Sequence, residues 1–274
     1  MSSFVLTIPN QGATPVLVEV PHAGVAVPDG LDPPVAAAVD DIERDADLYV
    51  DDLYSGASAQ GATVLASRVS RYVVDLNRAP DDVDDSTVRD HPAPRGSQPR
   101  GVVWRVTSDA KPILPRPLTH AELVERLERF HAPYHAVLEE QLRRLRDRFG
   151  FAILLAAHSM PSTGRIAHAD RSVRRADIVP GTRGRTTADG RLIDLVSSHF
   201  RAAGLTVRHD EPYRGGWSTG RYGKPAEAWH ALQIEINRAL YMDERTAKPR
   251  GEDFDRLRVL LDALVRAMGA LDLR

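Results

Sequence analysis

Two histidines each stand directly behind an apolar run: His22 follows PVLVEV (15–20) and Pro21, and His158 follows FAILLAA (151–157). Short β-branched or continuous apolar runs that stop at Pro, Gly or polar residues read as buried strands. Open α/β sheets bind ligands at the carboxyl ends of their strands, so two parallel strands here would bring both imidazoles to one edge. Two neutral imidazoles and a carboxylate, with a fourth position left for water, make a common catalytic zinc site. Glu43, Asp45 and Asp47 are the carboxylate candidates, although Asp45 or Asp47 would equally cap a helix beginning there. Glu235 lies between Ile234 and Ile236. Desolvation there would raise its pKa and suit it to take a proton from a metal-activated water and return it to a leaving nitrogen. Facing solvent or pairing with Arg238 is the structural alternative. Arg78 offers a planar fork to a substrate carboxylate and Asn77 a neutral donor, against a bridge from Arg78 to Asp75 or Asp81. The Gly-rich loop Tyr213–Gly223 adds Arg214 beside the substrate pocket and Arg221 as a candidate to steady an oxyanion.

Other constellations carry less. His131 and His135 are four apart on a helical stretch without an HExxH pattern, so packing is expected. The arginines between 171 and 191 lack interleaved aromatics and read as a solvated loop. Ser70 and Ser159 lack a G-x-S-x-G elbow, and no phosphate-binding G-x-x-x-x-G-K-[ST] occurs.

The elements that must hold these side chains follow from periodicity. Strands are predicted at 15–20, 62–66, 72–76, 151–157, 205–208 and 231–237, and helices at 47–60, 120–150 with an interruption at Pro133, 192–203 and 254–273. The segment 81–118, dense in Asp, Pro and Arg, reads as an excursion around the core, and 165–191 as polar and irregular. Strands alternating with helices imply a mixed, mostly parallel sheet flanked by helices, expected as a single α/β domain over 1–274.

Composition narrows the function classes. The chain has 274 residues, 42% hydrophobic, 27% charged and 6% aromatic, as in ordinary globular proteins. Thirty-six basic against 38 acidic residues leave a net charge of −2, which argues against nucleic acid or an anionic membrane as partner and toward a small molecule. With no cysteine, disulfides, thiolate metal sites and a Cys nucleophile are excluded. No signal-like or membrane-length apolar run is present, so a cytoplasmic location is expected.

Taken in order, PHAG (21–24), DAD (45–47), SRYVVDLNR (70–78), PYH (133–135), HS (158–159), GG to RYG (215–223) and QIEINR to YMDE (233–244) resemble the N-formylglutamate amidohydrolase family. The resemblance spans about residues 16–245. SRYVVDLNR and the QIEINR block are its specific parts. It implies a three-layer fold similar to zinc carboxypeptidases and the aspartoacylase group. It also implies one zinc ion and hydrolysis of N-formyl-L-glutamate to formate and L-glutamate, a step of histidine degradation. Carried onto this chain, it implies His22, Asp47 and His158 as zinc ligands, Glu235 as general base and acid, and Asn77 with Arg78 as donors to a substrate carboxylate. Zinc carboxypeptidases have Glu three residues after their first histidine. Position 25 here is Val, so the carboxylate must come from elsewhere. The alternatives are a hydrolase of another N-acyl amino acid or small peptide, or a non-catalytic binding protein on the same fold.

Overall fold

A computed structural model describes residues 2–96, 98–166 and 168–274. Its centre is four parallel strands, β2 (Val16–Val20), β3 (Thr63–Ser67), β4 (Ala152–Met160) and β6 (Trp229–Asn237), and β2 and β4 are buried along their whole length. Burial on both faces is what a continuous apolar run demands. Antiparallel strands β1 (Phe4–Thr7) and β5 (Ile178–Gly181) close the edges, giving the order β1-β3-β2-β4-β6-β5.

Helices cover both faces, as expected for a mixed three-layer α/β fold. Alternation along the strands divides the core: Ile153, Leu155, Leu232 and Ile234 pack with α5 (Gly190–Ala202) and α7 (Glu252–Gly269). Leu17, Ala152, Leu154 and Ala231 pack on the other side with α3 (His120–Arg126), α4 (Ala132–Phe149) and the long 72–118 excursion. Gln233 and Glu235 share the parity of Ala231, so the polar positions of β6 point to that second face and not to solvent. No helix among the described residues is long and apolar enough to cross a membrane.

Several expected elements differ. The stretch 47–60 is not one helix. After α1 (Val39–Asp45), the Asp47 N–H donates to the His22 carbonyl at 2.9 Å and Tyr49 turns left-handed at φ 65°. Only the short α2 (Val50–Leu53) and a tight turn over Ala57–Gln60 follow. Tyr72–Leu76 is buried but belongs to no strand. Its carbonyls are taken by side chains, Val73 by Arg126 at 3.2 Å and Leu76 by His135 at 2.9 Å, and the Asp75 N–H donates to the Val102 carbonyl at 2.7 Å. Apolar composition predicts the burial of this segment; its hydrogen-bond partners lie on distant elements that local pattern cannot see.

Leu205–Arg208 forms no strand beyond a bridge from Val207 to Ile178, and β5, inside the segment read as irregular, has only a short apolar stretch to announce it. The Gly-rich loop contains α6 (Trp217–Tyr222). The long helix is interrupted as Pro133 requires, by a wider turn over Leu127–His131 between α3 and α4.

Candidate metal centre and surrounding cavity

β2 and β4 are neighbours in parallel register, with Glu19 opposite Ala156. The chain beyond β2 therefore reaches the level of His158, and the two histidines converge: His22 Nδ1 lies 3.1 Å from His158 Nδ1. Asp47 Oδ2 completes a buried trio at 3.0 Å from His158 Nδ1 and 3.6 Å from His22 Nδ1. A tetrahedral zinc ion with bonds of about 2.0–2.1 Å separates its ligand atoms by ~3.3 Å, so these spacings fit one. The His22 ring turns its other nitrogen to a carboxylate, Nε2 to Asp75 Oδ1 at 2.7 Å. A carboxylate only accepts, so the His22 hydrogen sits on Nε2 and the Nδ1 lone pair faces His158 and Asp47. His158 Nε2 meets the Asn77 amide at 3.2 Å. This trio, among the described residues, is the group of acidic and imidazole side chains placed to hold a cation.

The alternatives for the carboxylate separate clearly. Asp45 is occupied: its carboxylate accepts from Tyr72 Oη at 2.7 Å, the Ser108 N–H at 2.8 Å and Arg165 at 2.9 Å. Glu43 does not join the group. Asp47 is steadied from behind by Arg238, whose guanidinium donates to Asp47 Oδ1 at 3.2 Å, the Ala46 carbonyl at 2.6 Å, the Arg44 carbonyl at 2.7 Å and Ser159 Oγ at 3.1 Å. Burial alone would raise the Asp47 pKa, but hydrogen bonds with His158 and His22 hold it well below the usual carboxylate range. Asp75 is likewise desolvated yet held low, by the Arg71 guanidinium and His22. It also accepts from Trp104 Nε1 at 3.0 Å.

Glu235 sits opposite His158 in the β4–β6 register and lines the same cavity. Burial pushes its carboxyl up to about 7, partly offset by His158 and reinforced by Asp47. A chain of amides orients it: the Gly216 N–H and Asn77 Nδ2 donate to Gln233 Oε1 at 2.9 and 3.1 Å, and Gln233 Nε2 donates to Glu235 Oε1 at 2.7 Å. Asn77 Oδ1 accepts from the Ser218 N–H at 3.0 Å, so this amide is engaged within the protein wall.

All of these groups face one cavity of about 870 Å³. Arg78 and Arg214 line it, Arg78 bridging Asp82 at 3.1 Å and neither of the expected partners, Asp75 or Asp81. Arg221 is not brought there. It pairs with Glu139 on α4 at 2.9 Å, lies over Trp217 and Tyr222, and lines a neighbouring cavity of about 640 Å³. The Gly-rich loop became a helix whose last turn points Arg221 to that side. His131 and His135 pack as expected and do more: their Nε2 atoms donate to the Arg78 and Leu76 carbonyls at 3.0 and 2.9 Å and fix the segment that carries Asn77. Residues that sequence reasoning did not single out are Asp75, Gln233 and Arg238 as positioning groups and Tyr213 on the cavity wall. For Asp75, Gln233 and Arg238, placement within SRYVVDLNR and QIEINR was the available signal.

Fold and site define an α/β protein carrying a buried two-histidine, one-carboxylate ligand set at the carboxyl edge of its sheet. A sequence model of N-formylglutamate amidohydrolases matches residues 14–242, and the chain belongs to that family. The N-formylglutamate deformylase of Pseudomonas putida is 32% identical over 263 residues, 94% of each chain. That of Pseudomonas aeruginosa is 31% identical over 241 residues, 86% of this chain and 85% of the other. The crystal structure of N-formylglutamate amidohydrolase from Ralstonia eutropha JMP134 superposes with a TM-score of 0.89 at 33% identity, covering 98% of both chains.

Proposed function

We propose that this chain is a zinc-dependent deformylase that hydrolyses N-formyl-L-glutamate to formate and L-glutamate. The observation that carries the reading is the convergence of His22, Asp47 and His158 on one point in the cavity that Glu235 also lines. His22, Asp47 and His158 would hold a zinc ion, which would supply Lewis acidity to the acyl carbonyl and the attacking water. Glu235 takes the proton of that water as its oxygen bonds to the formyl carbon. It then delivers the proton to the amide nitrogen as the C–N bond breaks. A carboxyl near neutrality suits both transfers, and the Gln233 amide keeps one of its oxygens aimed. Burial pushes the Tyr213 phenol up to about 12, so it keeps its proton and serves as a neutral donor on the cavity wall. Arg78 holds the substrate carboxylate nearest the scissile bond, and binding there fixes the carbonyl for attack. Asn77 contributes by holding Gln233 and the start of α6.

The test is metal content by elemental analysis together with formate release from N-formyl-L-glutamate, on wild type and Glu235→Gln. About one zinc per chain in both proteins is expected, with turnover reduced ~10²–10⁴-fold in the variant. Protein reconstituted with zinc that retains none defeats the mechanism. Zinc without formate release leaves the site standing and sends the search to other acyl groups.

A further inference from the structure

The cavity wall carries more positive charge than the protein itself neutralises. Arg44, Arg71, Arg78, Arg95, Arg175 and Arg238 each lie within 3.2 Å of a carboxylate. Arg183 and Arg214 line the same cavity, and neither has an acidic partner among the described residues. Their backbones are tied together, with the Arg183 N–H donating to the Arg214 carbonyl at 2.8 Å. The Arg183 side chain donates to the Gly215 carbonyl at 3.3 Å, and its guanidinium lies against Gly220 of α6, where an added Cβ would come within 3.2 Å of Nη1.

The turn that presents Arg183 is tightly built. Arg183, Gly184 and Arg185 all adopt left-handed backbone, at φ 51°, 78° and 64°. The Asp210 carboxylate caps the turn by accepting the Thr182 and Gly184 N–H groups at 2.7 and 2.8 Å. Arginine gains nothing conformationally from a left-handed position that Gly or Asn fills more readily. The neighbouring Arg185 commits its guanidinium to Asp194 at 2.8 Å, whereas Arg183, exposed between the two cavities, has no protein carboxylate among the described residues and suits an anion from outside.

We propose that Arg183, with Arg214 beside it, is the seat of the substrate's second carboxylate and sets the preference for an N-acyl dicarboxylic amino acid. The inference rests on the deformylase reading, in which Arg78 takes the first carboxylate and the second enters the cavity unpaired. Leaving that charge without a partner would oppose binding, whereas a neutral side chain would gain little from the arginines.

The experiment compares kcat/KM for N-formyl-L-glutamate and for N-formyl-L-glutamine, which has the same shape without the charge. It uses wild type, Arg183→Asn, which tolerates left-handed backbone, and Arg183→Lys. The glutamate-to-glutamine ratio is expected to fall roughly 10–100-fold in Arg183→Asn, through KM, because a charge-assisted hydrogen bond is lost; Arg183→Lys restores part of it. A ratio unchanged in Arg183→Asn overturns the assignment while wild-type turnover keeps the hydrolase reading. Wild type releasing formate from neither compound overturns both.

Discussion

Asp75 shows how much of the site is built behind the groups that would touch a ligand. Its two oxygens collect His22, Arg71, Trp104 and the Asn77 N–H, all with the carboxylate buried. It fixes which His22 nitrogen carries the hydrogen and thus which one can bind a cation. In Asp75→Asn the amide can present its N–H₂ group to the ring and invert that choice. Zinc affinity, measured by competition with a chromogenic chelator, is expected to fall ~10–100-fold. Unchanged affinity would mean that the ring is oriented by packing alone. His22, His158 and Glu235 were legible in the sequence because each follows or interrupts an apolar run; Asp47 follows none, and local pattern left it beside Glu43 and Asp45 as one of three carboxylate candidates. Asp75 and Arg238 were not legible, since the groups they position, His22 and Asp47, lie 53 and 191 residues away in the chain.

Elements place the site through close backbone approaches that one missing side chain permits. Gly24, just beyond His22, passes the 68–70 segment so tightly that an added Cβ would come within 2.3–2.7 Å of the Arg68 and Val69 backbone. There the Ala26 N–H donates to the Arg68 carbonyl at 3.0 Å and the Ser70 N–H to the Ala26 carbonyl at 2.9 Å. Backbone cannot move aside as a flexible side chain can. Gly24→Ala is therefore expected to destabilise the fold by about 1–3 kcal/mol, read as a lowered urea midpoint at unchanged m-value. A midpoint equal to wild type would show that the 68–70 segment yields freely. Strands with continuous apolar runs, β2 and β4, and the alternating β6 were readable from pattern. Tyr72–Leu76 misled because it is as apolar as a strand while side chains from α3 and α4 serve its carbonyls. The break at 47–60 was hidden for a similar reason, since the Asp47 N–H serves the His22 carbonyl in place of a helical turn.

At the scale of the whole molecule, the sheet carries an acid in its middle. Glu19, fully buried in β2, accepts from Ser218 Oγ at 3.0 Å through one oxygen, and the Tyr134 hydroxyl stands by the carboxyl. Burial pushes its carboxyl from 4.5 up to about 8. The folded chain thus keeps a proton that the unfolded chain has lost, so stability from this group is full below about 4.5 and declines as pH rises through about 8. Glu19→Gln should flatten that decline: urea midpoints near those of wild type in acid and above them in alkali. Parallel curves for the two proteins across this interval would refute the assignment.

The strand order also sets a birth order. β5 pairs with strand β6, which follows it in the chain and lies between β5 and β4. As a nascent chain emerges from its amino end, His22, Asp47 and His158 are all available before Glu235 and Arg238 have been synthesised. Until β6 is made, β4 has an unpaired edge and Asp47 lacks the guanidinium that holds it. β6 pairs that edge, gives β5 its partner and carries Glu235, with Arg238 directly behind it, so a single late strand joins the far edge of the sheet to the cavity.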